Sequence, residues 1–318
     1  MTRVEGGSRG QPGAGGKGPL SVLAIGDAVL DVVVELSRTP VVGDDVPARI
    51  SLSNGGQASN VASWCSALGA KAAVISRVGG DLAGQLVAGR LERQGVVLLG
   101  PGGPGGEDGA TGVIVSLVTA GGERSMASDR GASAGLAASD LDPAWFLRCD
   151  WLHVSGYSLF APAGPAAATA AAEMARAAGA RVSVDLSAAT LVESVGSGEA
   201  IRRVEACRPE VVFGNEAEHE AIGVLEGVVT VVKRGPEGFV VRDPGGSVRW
   251  PALPVPEVRD STGAGDAFAA GWIVGGPELA RAAAAECLAH AGAMPQAGAA
   301  PRVRESLAQR RGSITTRP

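Results

Sequence analysis

Aromatic residues are scarce: they make up 3% of the 318 residues, and Tyr157 is the single tyrosine. That scarcity disfavours a site that sandwiches a nucleobase between rings. Histidine occurs three times, at His153, His219 and His290, with no spacing that gathers a metal, so these side chains read as structural or exposed. The four cysteines, Cys65, Cys149, Cys207 and Cys287, are widely separated, form no CxxC pair and lie mostly among apolar neighbours. Reduced core thiols are expected, not a disulfide frame or a zinc site. Positive charge is not in excess either, with 28 Lys and Arg against 33 Asp and Glu and a net charge of −5. The basic residues are scattered, which argues against nucleic acid or an anionic membrane and for a small-molecule partner. No apolar run approaches the roughly 20 residues of a membrane-spanning helix. Met1 to Pro19 is polar and Gly-rich, without the apolar stretch of a secretion signal. A disordered tail over 1–19 and a soluble, cytoplasmic protein are therefore expected.

What is present is an ample core, with 45% hydrophobic residues, arranged in alternating strand and helix patterns. Ser21 to Gly26 is a short apolar run suited to a buried parallel strand. Val29 to Leu36 and Val46 to Leu52 alternate and carry charges, as strands with one wet face do. Ala58 to Leu68 has helical spacing and ends at Gly69, a natural C-cap. Ala72 to Val78 reads as strand and Leu82 to Gln94 as helix. Gly100 to Gly109 is a loop by composition, and Gly112 to Leu117 with Glu123 to Ser128 forms a hairpin around Gly121-Gly122. The alternation then resumes with strands at Trp151 to Val154, Arg181 to Leu186, Val211 to Gly214 and Val228 to Lys233. Helices are expected at Pro165 to Ala178, Asp260 to Ile273 and Pro277 to Ala293. Such alternation predicts a mostly parallel sheet covered by helices.

The stretch Asp260-Ser-Thr-Gly-Ala-Gly-Asp266 carries the most chemistry. Two glycines precede an apolar helical pattern, so the free N–H groups of the first turn converge on one point and form an anion hole suited to a phosphoryl group. Asp266 falls beside it, where the helix dipole favours the ionised carboxylate and a hydroxyl proton can be accepted. The same residue also suits a plain helix cap. There is no Walker A sequence, because Gly13 to Lys17 precedes no helix and lacks the following Ser or Thr.

The longer string Asp260-Ser-Thr-Gly-Ala-Gly-Asp266-Ala-Phe resembles the C-terminal signature of the PfkB carbohydrate kinases, the ribokinase-like family. Gly55-Gly-Gln-Ala-Ser-Asn60-Val-Ala, continuing to Arg77-Val-Gly-Gly80-Asp81, resembles the N-terminal signature. The resemblance runs from about Val22 to Arg302. It implies a Rossmann-type three-layer α/β/α fold over 20–312, with a mostly parallel central sheet and a small β-sheet lid from 32–52 and 112–127, and a tail over 313–318.

By the same resemblance Asp266 is the base, and Gly263, Ala264 and Gly265 bind the moving phosphoryl group. Asp27, Asp31, Gly55, Gly56 and Asn60 hold the acceptor. Arg124 and Arg130 are candidates for a sugar-acid carboxylate. Asn215, Lys233, Gly235, Gly238, Thr262 and Cys287 join Gly263 and Gly265 around the nucleotide, Cys287 standing where relatives often carry Asn. Glu218 reaches magnesium indirectly, through water. ATP and Mg2+ are the implied cofactors, a monovalent cation such as K+ is a further one, and the lid offers a homodimer contact. The implied activity is ATP-dependent phosphorylation of a sugar or sugar acid. A nucleoside kinase and a non-catalytic sugar-binding regulator are the alternatives, the second disfavoured by the presence of Asp266, Gly263 and Gly265.

Overall fold

The computed structural model describes residues 18–102, 109–119, 124–161 and 165–314, with the side chains of 124 and 308–314 excepted. The expected N-terminal tail up to Lys17, most of the Gly100 to Gly109 loop, the Gly121-Gly122 turn and the last residues of the expected C-terminal tail lie outside them.

The chain opens with strand β1 (Ser21–Ile25), followed by β2 (Val29–Leu36), β3 (Ala48–Gly55), helix α1 (Gln57–Ala67), β4 (Lys71–Ile75), α2 (Leu82–Arg93) and β5 (Val96–Leu99). Next come β6 (Thr111–Val118), β7 (Arg124–Gly131), β8 (Trp151–Ser155), α3 (Gly156–Leu159), α4 (Ala166–Ala177) and β9 (Arg181–Asp185). The last part holds α5 (Ala189–Val195), α6 (Ser197–Cys207), β10 (Val211–Asn215), α7 (Glu216–Ile222), β11 (Val229–Lys233), β12 (Phe239–Asp243), β13 (Gly246–Trp250), α8 (Ala264–Leu288) and α9 (Ala299–Ile314). Helix α9 thus runs just past the boundary expected at Gly312.

Nine strands form one sheet in the order β13-β12-β11-β10-β9-β8-β1-β4-β5. Pairing is parallel from β11 to β5 and antiparallel only at the β12 and β13 edge. Burial explains the composition of its centre. Strand β8 is buried at every position, as strands covered on both faces must be. Strand β1 divides its side chains between two cores: Val22 and Ala24 join the layer of α1, α8 and α9, while Leu23 and Ile25 join the layer of α4 and α6. Helix α4 buries Ala167, Ala168, Ala171, Ala172 and Ala175, so its small side chains let it lie close to the sheet. The arrangement is the expected three-layer ribokinase-like α/β/α fold.

A second sheet of four strands, β3-β2-β6-β7, stands apart from the first. Strand β2 follows β1 after three intervening residues and β3 runs directly into α1, so the small sheet is tethered beside β1. The strand order reverses between β1 and β8, since β1 runs on to β4 and β5 in one direction while β8 to β11 fill the other. The carboxyl ends of strands at such a reversal leave the crevice where open α/β sheets bind ligands.

Helix α8 is broken at Gly275 (φ −156°, ψ 15°) and Gly276 (φ 78°, ψ −164°), with Pro277 following. The second limb folds back on the first, because Cys287 Sγ lies 3.4 Å from the Thr262 carbonyl oxygen and Arg259 N–H donates to Leu288 O at 2.9 Å. Gly271 permits this approach, as a Cβ there would sit 2.6 Å from the Leu279 carbonyl oxygen. Among the described residues no helix is long and apolar enough to cross a membrane.

Candidate active site

The first limb of α8 starts at Gly263, whose φ of 77° a β-carbon-bearing residue rarely adopts. Gly263 also leaves no room for a side chain, because a Cβ would come within 2.5 Å of Ala293 Cα. The entry loop is clamped from below. Asp260 accepts from the Thr262 N–H and hydroxyl at 2.9 and 2.7 Å and from Gly292 N–H at 2.9 Å. Ala264 N–H turns back to the Ser261 carbonyl at 3.3 Å. The next N–H groups, of Gly265 and Asp266, belong to the first turn, where the helix itself supplies no acceptor.

Asp266 sits half-buried at the cleft floor and accepts from Asn60 Nδ2 at 2.8 Å, so α1 and α8 fix its carboxylate together. Removal from water pushes its carboxyl up to about 7; the hydrogen bond from Asn60 works against that shift, Asp185 adds to it and Lys233 opposes it. Burial therefore outweighs the helix dipole expected to keep it ionised, and Asp266 titrates near neutrality, where a general base is most effective.

Lys233, at the end of β11, donates to Asp185 Oδ2 at 2.8 Å. Burial alone would lower its ammonium pKa, but Asp185 and Glu218 outweigh burial and raise it, so the lysine stays charged. Its Nζ lies against the anion hole, 3.1 Å from where a Gly265 Cβ would be. Asp185, buried at the end of β9, also accepts from Ser187 N–H at 2.9 Å. Ser187 has a φ of 69°, and its hydroxyl donates to Gln57 Oε1 at 2.6 Å while accepting from Gly156 N–H at 2.9 Å. Ser155 donates to the same Gln57 oxygen at 2.6 Å, so three strand-to-helix turns are tied together beneath Asp266.

Glu218 is buried and accepts from Asn215 N–H and Nδ2, both at 2.8 Å, while Asn215 Oδ1 receives the Glu218 N–H. This reciprocal capping box opens α7. Burial raises the Glu218 carboxyl, and Lys233 works against that rise.

Among the residues expected to hold the acceptor, Asp27 at the end of β1 is gripped bidentately by Arg130, from Nε at 2.8 Å and Nη2 at 2.6 Å. The two were expected to meet the ligand separately; instead they form one preassembled unit across 103 positions of chain. Gly55 lacks a side chain because the Asp31 carboxylate occupies that space, 2.0 Å from a would-be Cβ. Gly56, at φ 89°, packs on the Asp27 carbonyl in the same way. Tyr157 faces the cleft, 38% exposed, and its phenol pKa is raised by burial and by the charges of Asp266 and Asp27. Arg124 begins β7, but its side chain lies outside the described residues.

Beyond the anion hole opens a cavity of about 770 Å³ lined by Lys233, Gly235, Gly238, Phe239, Val255 and the Ala284 face of α8, among others. Gly238, at φ 91°, could carry no Cβ without meeting the Trp250 carbonyl oxygen at 2.0 Å. One expectation fails here. Cys287 does not line the cavity; it is 1% exposed beneath the loop, its thiol donating to the Thr262 carbonyl and pushed up to about 12 by burial. Helical periodicity explains this, since Arg281, Ala284, Ala285 and Leu288 share the cavity face and position 287 turns away from it. Among the described residues no group of three His, Cys, Asp or Glu could hold a metal ion.

The sequence matches the profile of the pfkB family of carbohydrate kinases over residues 20–309. The chain belongs to that family. It is 32% identical over 262 residues to the ATP-dependent ribose-1-phosphate kinase of Halopiger xanaduensis, covering 79% of this chain and 83% of that protein. Among solved structures, adenosine kinase from Sinorhizobium meliloti superposes with a TM-score of 0.79 at 24% identity, covering 90% of this chain and 99% of that one. A putative ribokinase II from E. coli in complex with ATP and Mg2+ gives a TM-score of 0.74 at 23% identity over 91% and 99%. The activity is that of an ATP-dependent sugar kinase. The residues that sequence reasoning passed over are Asp185, Gln57, Ser155, Ser187 and Tyr157. For Asp185 a signal existed, a lone acid closing an apolar strand at the ligand-binding edge. The others are brought together only by the fold.

Proposed function

We propose that the enzyme transfers the γ-phosphoryl group of ATP to a hydroxyl of a sugar derivative held between Asp27–Arg130, Asp31 and Asn60, with Asp266 as base. The observation that carries this reading is Asp266 itself, tuned near neutrality, oriented by Asn60 and adjoining the N–H groups at Gly265 and the charged Lys233. The acceptor oxygen attacks the γ-phosphorus, the bond to the bridging oxygen breaks, and the hydroxyl proton passes to Asp266. Because the transition state is loose, the protein's task is placement and neutralisation of charge. The first turn of α8 and Lys233 meet the equatorial oxygens, and the small sheet closes over the acceptor to keep water away.

The residues present fit magnesium, which takes one or two carboxylates together with waters and phosphate oxygens. Glu218, buried beside Lys233, suits a water-mediated contact, and the ion when bound supplies neutralisation of the nucleotide phosphates. The acceptor class is a sugar, with a sugar phosphate favoured by the ribose-1-phosphate kinase relative. The nucleoside alternative draws on the half-exposed ring of Tyr157 and the fold of adenosine kinase. An ATP-consumption screen with magnesium over sugars, sugar phosphates, sugar acids and nucleosides decides between them; turnover only of nucleosides overturns the sugar reading.

The small sheet also supports a homodimer. By register and alternation Ile50, Leu52 and Leu117 lie on one face, and they are 64%, 43% and 38% exposed. Pairing of two copies over this face would bury them, and sedimentation of a monomer at micromolar concentration would overturn it.

A further inference from the structure

Gln57 is the first residue of α1 and shares a helix face with Asn60, three positions on. Asn60 Nδ2 holds Asp266 Oδ2 at 2.8 Å, so the Gln57 side chain is directed to the same part of the cleft. Its amide has two unlike ends, an oxygen that accepts and an NH2 group that donates. Two serines decide which end faces where. Strands β8 and β9 end side by side, with Ser155 opposite Asp185, and Ser187 follows two residues later. Both hydroxyls donate to Gln57 Oε1 at 2.6 Å, a separation typical of O–H···O bonds and short for N–H···O. Ser187 Oγ accepts the Gly156 N–H at 2.9 Å, which leaves its own proton for Gln57; the Asp185 carbonyl, at 3.2 Å, is the more distant acceptor. Ser187 keeps its hydroxyl there at a φ of 69°, a conformation glycine adopts without strain and serine rarely does.

With its oxygen taken by two donors, the amide turns its NH2 group away from the serines. Asp266 registers it: a hydrogen bond from the Gln57 side chain lowers the carboxyl against the rise caused by burial, and donation to the ionised form is what lowers a carboxyl. We propose that Gln57 is a positioning residue for the base, its amide locked by Ser155 and Ser187 so that the NH2 group faces Asp266 and, with Asn60, steadies the carboxylate that receives the acceptor proton. The base's role rests on the kinase reading above; the orientation of the amide does not. A carboxylate offers about four lone-pair sites, so two amide donors leave room for the acceptor hydroxyl. Asp185 on β9, Lys233 on β11, Tyr157 on α3 and Cys287 on α8 share the electrostatic surroundings of Asp266, and the variants below leave all four in place.

Carbon-13 NMR of the Asp266 side-chain carboxyl in the full chain, assigned by its loss in Asp266→Asn, reads the titration with no acceptor or nucleotide present. The wild type should show a midpoint near 7. Gln57→Met removes the donor from a side chain of similar length and should raise the midpoint by at least about half a pH unit, because the ionised form loses a hydrogen bond. Methionine also makes the surroundings less polar, so the decisive variant is Ser155→Ala/Ser187→Gly, which alters neither Gln57 nor Asn60 and places at 187 a residue suited to the backbone there. Freed from its lock, the amide should let the midpoint rise by at least about 0.3 of a pH unit. An unmoved or lowered midpoint in this variant, whatever its melting temperature, would reduce the tie to a structural brace and overturn the inference. Ser155→Ala alone is read the same way if the double variant does not fold. Failure of the ATP-consumption screen would overturn the kinase reading and leave the titration shift standing, so the two failures are told apart.

Discussion

The two halves of the cleft are built on opposite plans. The acceptor half is polar and preassembled: Asp27 is already held by Arg130, Asp266 by Asn60, and Gly55 and Gly56 are forced by contact with Asp31 and the Asp27 backbone. The proposed donor half is a roomy cavity of about 770 Å³ walled mainly by Gly, Ala, Val, Leu, Pro and Phe, with Lys233 and Arg281 the charged side chains among the described lining residues. Hydroxyl groups differ by direction, so the side that reads them needs fixed partners. A nucleotide is gripped by its phosphates and otherwise needs only a slot of the right shape. The two halves should therefore respond differently to substitution, strongly and locally on one side, mildly on the other.

The largest expected effect is at the boundary between them. Asp266→Asn keeps the shape but removes the proton acceptor, so kcat should fall by at least roughly 10²-fold while calorimetry shows nucleotide binding intact. A near-normal kcat would reduce Asp266 to a helix cap. The same group sets the pH dependence. Because the base must be ionised, kcat/KM for the acceptor should rise with pH through an acid limb near 7. Stability runs the other way. A carboxyl whose folded pKa is raised favours the fold below its unfolded value, and that advantage is lost as pH rises through about 7. The melting temperature of the wild type should thus fall relative to Asp266→Asn between pH 5 and pH 8, and parallel curves would contradict the buried carboxyl.

Next in size is the acceptor pair. Arg130→Ala strands the Asp27 carboxylate, 8% exposed, and should cost about 1–3 kcal/mol of stability together with a rise of tenfold or more in acceptor KM. The double variant Asp27→Ala/Arg130→Ala should recover much of the melting temperature but none of the KM. Recovery of both would show that the pair is structural, not ligand-binding.

On the donor side, Gly265→Ala places a methyl 3.1 Å from Lys233 Nζ. The lysine's flexible end can give way, so a several-fold rise in KM for ATP is expected, with acceptor KM unchanged. Smallest of all is Cys287→Ser. Its side chain touches only the back of the loop, so KM for ATP should change less than about twofold, with at most about 1 kcal/mol of stability lost. A large rise in KM for ATP would return Cys287 to the nucleotide contacts.

The same contrast shows what a sequence can disclose. The buried strands β1, β8, β10 and β11 are legible as apolar runs bounded by turns, and the two limbs of α8 are legible because Gly275-Gly276-Pro277 interrupts an otherwise continuous pattern. Strands β12 and β13 are not, since Arg242, Asp243 and Arg249 break their apolar rhythm at an exposed edge. Helices α5 and α6 escape notice around Gly196 and Gly198. In the site, local motifs such as Gly263 to Asp266 announce themselves because backbone geometry demands particular residues in a row. The Asp27–Arg130 grip and the Ser155–Gln57–Ser187 tie join distant parts of the chain, and no local pattern records such a meeting.

The fold-back of α8 at Gly275-Gly276 has an evolutionary consequence. The outgoing limb opens with Gly263 to Asp266 and the returning limb sets Ala284, Ala285 and Leu288 on the cavity wall, so the two are separately heritable within one element. Substitution at Ala284 or Ala285 can reshape the cavity while Gly263 to Asp266 stay untouched. A lineage can thus alter the cavity wall by editing a single face of a single helix.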